Sequence, residues 1–215
     1  MFLLCLICLG LLSAQNPVLA QTLAERERNC AIQTRSVEAR RNTHVNACIN
    51  YGWTLHIQGR DREAIRVLRQ AARLDPTSEK AYNALGVIYL FTSEYPRAVQ
   101  ANQAAIKLKP DNEVAYYNLG LAQWELGEFA QAVASEEQAT RLDSGNPHPW
   151  VALAIARARA GSGDAQAAYR QAIRLDSRYR NPAYLNGLRA SDFSERQIKA
   201  AQKLLGQLRR VSADR

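Results

Sequence analysis

The chain has 215 residues, of which 47% are hydrophobic and 22% charged, and a net charge of +8. With only four Phe, its core is expected to rest on many small contacts of Ala, Leu and Tyr. The basic balance invites a nucleic-acid reading, but no nucleic-acid-binding motif is present. There is no HExxH, no glycine-rich phosphate loop after a strand and no G-x-S-x-G elbow. The three histidines, His44, His56 and His148, are scattered. No enzyme, no cofactor, no metal site and no nucleic-acid partner is therefore expected.

Residues 1–20 read as a secretory signal peptide. An apolar run from Phe2 to Leu12 precedes polar Ser13, Gln15 and Asn16, and Val18-Leu19-Ala20 offers small residues for cleavage before Gln21. The segment lacks the usual Lys or Arg at its start. The alternative is an uncleaved anchor, although the run falls short of the roughly 20 residues that span a bilayer. Export to the periplasm, or to a thylakoid lumen in a photosynthetic bacterium, follows from this reading. Cleavage would leave Cys30 and Cys48, which in an oxidising compartment are candidates for one disulfide; Cys48 as a lone buried residue is the other reading. Residues 21–44 form a charged arm with a thin apolar set, read as a short helix capping the first repeat or as a disordered basic arm.

From residue 45 the sequence is periodic. Gly52, Gly86 and Gly120 are spaced by 34, and Leu74, Leu108, Leu142 and Leu175 by 34, 34 and 33. A period near 34 is the mark of stacked helix–turn–helix units. The units are 45–78, 79–112, 113–146 and 147–179. In the second, Gly86 and Ala98 are small where paired helices must approach, Tyr82, Leu85 and Tyr89 fill the space between, and Pro110 stops the second helix. These positions, with Tyr95 and Ala105, resemble the tetratricopeptide repeat (TPR) family. The resemblance implies an all-α, right-handed α-solenoid of about four repeats with N- and C-terminal capping helices.

After Arg180 the period fails. Asn181-Pro182 breaks the chain and residues 183–188 read as short helical or irregular structure. Ser194 then reads as an N-cap, with Gln197 reaching back and Phe193 placed to staple onto Ile198. Ile198, Ala201, Leu204, Leu205 and Leu208 share one face of the following helix. By family resemblance this helix covers the last repeat; the other reading is a detachable membrane-binding helix.

The resemblance further implies that the first helix of each unit lines a concave wall. Wall positions include Ile49, Trp53, His56 and Ile57 in the first unit, and Asn83, Val87, Leu90 and Phe91 in the second. Val114, Tyr117, Leu121, Trp124 and Glu125 follow in the third, and His148, Val151, Ile155 and Arg159 in the fourth. So many apolar groups without core duty predict a covered surface. The carboxylate clamp of chaperone-binding relatives would fall on Ile49, Trp53, Ala84, Val114 and Asn118, four of them apolar, which disfavours that activity. A protein or peptide partner, such as an amphipathic helix, suits this wall better, with Trp53 and Trp124 as anchors. The alternative use of the tight wall is to be buried by the protein's own winding or its N-terminal arm.

Charge is segregated. Residues 21–74 carry ten Arg against five acids, residues 75–146 five basic groups against ten acids, and residues 147–215 thirteen basic groups against five acids. Basic ends around an acidic middle suit self-association or peripheral contact with an anionic membrane face; a merely solvated surface is the plainer reading. The carboxylates are expected mostly on solvated helix faces.

Overall fold

The computed structural model describes residues 25, 26, 28 and 41–213. The signal segment, Cys30 and most of the arm lie outside the described residues. Among those described there is no strand. The α-helices are α1 (Arg41–Ile57), α2 (Asp61–Leu74), α3 (Glu79–Phe91), α4 (Tyr95–Leu108), α5 (Glu113–Leu126), α6 (Phe129–Leu142), α7 (Pro147–Ala160), α8 (Ala165–Leu175), α9 (Pro182–Leu185) and α10 (Glu195–Ala213). Single 3-10 turns at Ser177–Arg180 and Asn186–Ser191 flank α9. The chain divides into two compact units, residues 1–81 and 82–215, with the boundary in the first turn of α3.

In the first unit α1 and α2 form an antiparallel hairpin. Its closeness is set at Gly52, where a Cβ would lie 2.7 Å from Leu68 Cγ. Ala64, Ile65, Leu68 and Ala71 make the buried stripe of α2, the i, i+1, i+4, i+7 pattern of an amphipathic helix. His56 Nδ1 and Asp61 Oδ1, 2.6 Å apart, bridge the turn. Arg26 donates to Thr54 Oγ1 at 2.7 Å, so the arm touches α1. Cys48 is fully buried and disulfide-bonded.

The second unit repeats the hairpin in α3–α4, α5–α6 and α7–α8. A Cβ at Gly86 would lie 2.7 Å from Asn102 Cγ, and one at Gly120 2.7 Å from Glu136 Cδ. The same repeat position thus holds Leu68, Asn102 and Glu136 in turn. Consecutive hairpins pack through α4 on α5 and α6 on α7, and α5 lies beside α7. Each unit's ends are built from local chemistry. Asn112 Oδ1 accepts from Ala115 N, Asn146 Oδ1 from His148 N and Asp164 Oδ1 from Ala167 N, each satisfying a donor that the helix start leaves orphaned. The turns inside the hairpins need one left-handed residue, supplied by Gly127 and Gly161 and, at the matching place after α3, by Ser93 with φ 59°.

α10 starts with the expected capping box: Gln197 N donates to Ser194 Oγ at 3.1 Å and Ser194 N to Gln197 Oε1 at 2.9 Å. Its five apolar positions are all buried. The helix packs on α7 and α8, and its first turn reaches further, onto α5.

Candidate functional site

The site is the wall presented by α3, α5 and α7 together with what lies on it. On α5, Tyr117, Leu121, Trp124 and Glu125 occur at i, i+4, i+7 and i+8 and so share one face. On α7, Val151 and Ile155 do the same. Trp124 is tied to its neighbour helix, its Nε1 donating to Ile155 O at 3.4 Å, and its ring meets Phe129 edge-on at 5.8 Å.

The segment from Ser191 to Gln197 is laid against this face. The Tyr117 hydroxyl donates to Ser191 O, and the Phe193 ring sits 6.1 Å from the Tyr117 ring. Ser194 Oγ donates to Glu125 Oε1 at 2.5 Å, and Arg196 donates to Glu125 Oε2 at 2.9 Å. The Arg196 guanidinium stands 5.5 Å over the Trp124 ring, a favourable placement for a cation on an indole. Gln197 Nε2 donates to Leu121 O at 3.0 Å. His148 joins the same corner: its Nδ1 meets the Tyr179 hydroxyl at 2.6 Å and its Nε2 the Ser191 hydroxyl at 3.3 Å.

Burial shapes the protonation of these groups. Desolvation pushes the Tyr117 hydroxyl well above the usual phenol range, with Asp192 and Glu136 adding to it. Desolvation lowers His148, against a smaller upward pull from Asp176, so the neutral imidazole is favoured. Glu136 on α6 is buried with neither oxygen hydrogen-bonded to a described residue, and burial raises its carboxyl far above the usual range. It is an exception to the expectation that carboxylates lie on solvated faces, as is Glu125, whose side chain is 2% exposed.

Of the sequence-derived wall residues, Val87, Leu90, Tyr117, Leu121, Trp124, Val151 and Ile155 are buried in the second unit, and Asn83 is half-buried. Tyr117, Leu121 and Trp124 are touched directly by the chain's own segment 191–197. Phe91 at 39% and Val114 at 41% remain exposed. A cleft of about 260 Å³ stays open between Leu90, Phe91, Tyr95 and Glu125 on one side and the stretch Arg189–Gln197 on the other. In the first unit, Ile49 is buried and Trp53 half-buried with its ring 6.0 Å from that of His56, while Ile57 is 83% exposed. Cys48 is disulfide-bonded; its expected partner Cys30 lies outside the described residues. The clamp positions Ala84 and Asn118 are buried, and neither polar atom of the Asn118 amide is hydrogen-bonded to a described residue. Ser191, Ser194 and Arg196 were not legible as wall partners. Only Ser194 carried a signal, and that signal was local, an N-cap. Among the described residues no cluster of His, Cys, Asp or Glu suits a metal ion, and no helix is long and apolar enough to cross a membrane.

Family comparison agrees with this architecture. A family model described as TPR repeat matches residues 52–90 and 92–127, and one described as tetratricopeptide repeat matches residues 114–146. The chain is a tetratricopeptide-repeat protein. Among solved structures, a crystal structure of MamA is 27% identical, covers 62% of this chain and 79% of that one, and superposes with a TM-score of 0.58. A second MamA structure is 25% identical over 74% of this chain and 86% of that one, with a TM-score of 0.59. The first TPR of Spaghetti (RPAP3), solved with an HSP90 peptide, is 19% identical over 55% of this chain and 94% of that one, with a TM-score of 0.54, and shows the fold alone. A search of curated proteins finds no match. The TPR hairpin α7–α8 lies beyond the residues the family models match and completes the fourth unit expected from the sequence.

Proposed function

We propose that this TPR protein is an exported, non-catalytic scaffold that binds a helical segment of a partner protein on the wall of α3, α5 and α7. One observation carries the reading: the wall holds an amphipathic segment of its own chain, gripped by an aromatic contact at Tyr117, a carbonyl at Leu121 and a carboxylate at Glu125. A wall that holds the start of an amphipathic helix suits helix-in-groove recognition. A partner helix with a large apolar residue, a hydroxyl next to it, a cation two residues further on and a side-chain amide after that would meet the same three groups. The peptide-bound RPAP3 domain lends support as a protein of the same fold that takes a peptide.

Photo-crosslinking in the native compartment tests this. A benzoylphenylalanine at Phe91 or Val114 reports from the wall, and one at exposed Lys107 or Arg141 reports from elsewhere. The expected result is one discrete protein adduct from the wall positions only, diminished by a synthetic peptide spanning residues 188–210. Equal labelling from all four positions would remove the reading. Fractionation of the same cells checks export.

A second reading, an assembly role at an anionic membrane face, is supported by the basic third of residues 147–215. It predicts vesicle binding that weakens with salt.

A further inference from the structure

The outer ends of α8 and α10 form a cleft that the protein-binding wall does not use. Arg170, Ile173 and Arg174 fall on one face of α8 at i, i+3 and i+4, and Leu205, Leu208 and Arg209 fall likewise on α10. With Arg180 they enclose about 670 Å³. Leu205 and Leu208 are buried at its base and Ile173 is half-buried, whereas all four arginines are exposed. The floor is therefore apolar and the mouth cationic.

None of the four arginines has a carboxylate partner among the described residues. Arg170 donates to Gln166 Oε1 at 2.9 Å and Arg174 to Gln171 Oε1 at 2.9 Å, both neutral amides. Arg209 donates to the backbone carbonyl of Arg180 at 2.5 Å. The nearby Arg178 is different, because Asp176 holds it in an ion pair at 2.8 Å. Four uncompensated guanidinium groups round one opening repel one another unless an anion lies between them. Their fork geometry suits phosphate oxygens.

The floor decides between anions. An acidic peptide in this cleft would need partners for its backbone N–H and C=O groups. The side chains of Ile173, Leu205 and Leu208 offer none, and the Arg180 carbonyl, with one lone pair engaged by Arg209, can accept from at most one further N–H. An acyl chain needs no such partners and gains from burial against those three residues.

We propose that this cleft is a binding site for one anionic phospholipid, with the headgroup phosphate among Arg170, Arg174, Arg180 and Arg209 and part of an acyl chain on Ile173, Leu205 and Leu208. The inference rests on the membrane-face reading and narrows it from a general basic surface to a defined site.

The test is flotation of the full chain with phosphatidylglycerol vesicles and with phosphatidylcholine vesicles at low salt. Two site variants, R170Q/R174Q on α8 and R209Q on α10, are compared with K199Q/K203Q, whose lysines lie on α10 outside the cleft. The proposal expects wild type to bind only phosphatidylglycerol, R170Q/R174Q to weaken binding about thirtyfold, the effect of two surface arginines, R209Q to weaken it severalfold, and K199Q/K203Q to change it less than threefold. Soluble dihexanoyl phosphatidylglycerol should compete, and inorganic phosphate should not. Equal loss in the lysine and arginine variants would overturn the site while leaving the membrane-face reading standing. Absence of vesicle binding by wild type would overturn both. Competition by inorganic phosphate as strong as by the lipid would overturn the acyl-chain half and with it the proposal.

Discussion

Ser194 and Glu125, 69 residues apart in the chain, are joined by a 2.5 Å hydrogen bond from the serine hydroxyl to a carboxylate that is almost wholly buried. The same carboxylate takes Arg196 on its other oxygen. This small latch fixes where α10 begins on the TPR wall.

The latch predicts an asymmetry between its two ends. Glu125→Ala removes the acceptor of both Ser194 and Arg196 and should lower stability by about 1–3 kcal/mol, with faster amide exchange in the first turns of α10. Arg196→Ala acts on a side chain that is 64% exposed and should cost less than about 1 kcal/mol. Urea titration and hydrogen exchange on the two variants check the order.

Glu136 predicts a pH dependence. Burial raises its folded-state pKa above the reference 4.5, so the folded protein holds a proton that the unfolded chain releases. The contribution of the protonated form is complete below that reference and is lost as pH rises towards the raised folded value, by up to about 1.4 kcal/mol per pH unit. Glu136→Gln keeps the shape without the charge and should be more stable than wild type at pH 8 and little changed at pH 4. His148 acts in the opposite sense. Its lowered pKa means that acid protonates the unfolded chain first, so its contribution is lost as pH falls below about 6.5. Urea midpoints across pH 4–8 for wild type, Glu136→Gln and His148→Gln separate the two.

Ser93 occupies a left-handed position that its repeat mates fill with Gly59, Gly127 and Gly161. A side chain there costs about 1–2 kcal/mol, part of which glycine's greater freedom in the unfolded chain offsets. Ser93→Gly should raise stability by about 0.5–1 kcal/mol, visible as a higher Tm.

One substitution should have opposite signs at two glycines. At Gly52 a new Cβ would press on Leu68 Cγ and Cδ2 at 2.7 and 2.8 Å, so Gly52→Ala should destabilise by about 1–3 kcal/mol through overpacking. At Gly206, within α10, a Cβ meets nothing within 4 Å. Gly206→Ala should stabilise by up to about 1 kcal/mol from helix propensity. Thermal unfolding of both variants is sufficient.

The hairpins were legible because small residues at Gly52, Gly86 and Gly120 and stop signals at each unit's end act locally and recur. The apolar face of α10 and its Ser194–Gln197 box were legible for the same reason. The destination of that helix's first turn was not. It depends on the direction in which two 3-10 turns and a left-handed Asp192 point the chain, and such short pieces carry no period. A cover on the apolar wall was foreseen, but it was sought in a partner's peptide or helix, or else in superhelical winding or the N-terminal arm, rather than in residues 191–197. Glu136 was hidden differently. A composition reading places glutamates on the surface, and only aligning it with Leu68 and Asn102 reveals that its slot faces a glycine inside a hairpin.

Because α10 is covalently attached, its claim on Tyr117, Leu121 and Glu125 is that of a tethered rival, present at an effective concentration in the millimolar range. Any incoming helix aimed at those groups has its apparent affinity multiplied by the fraction of molecules whose tail is displaced. On the proposed reading, tail sequence, not only wall sequence, thereby sets the threshold at which an outside ligand is noticed.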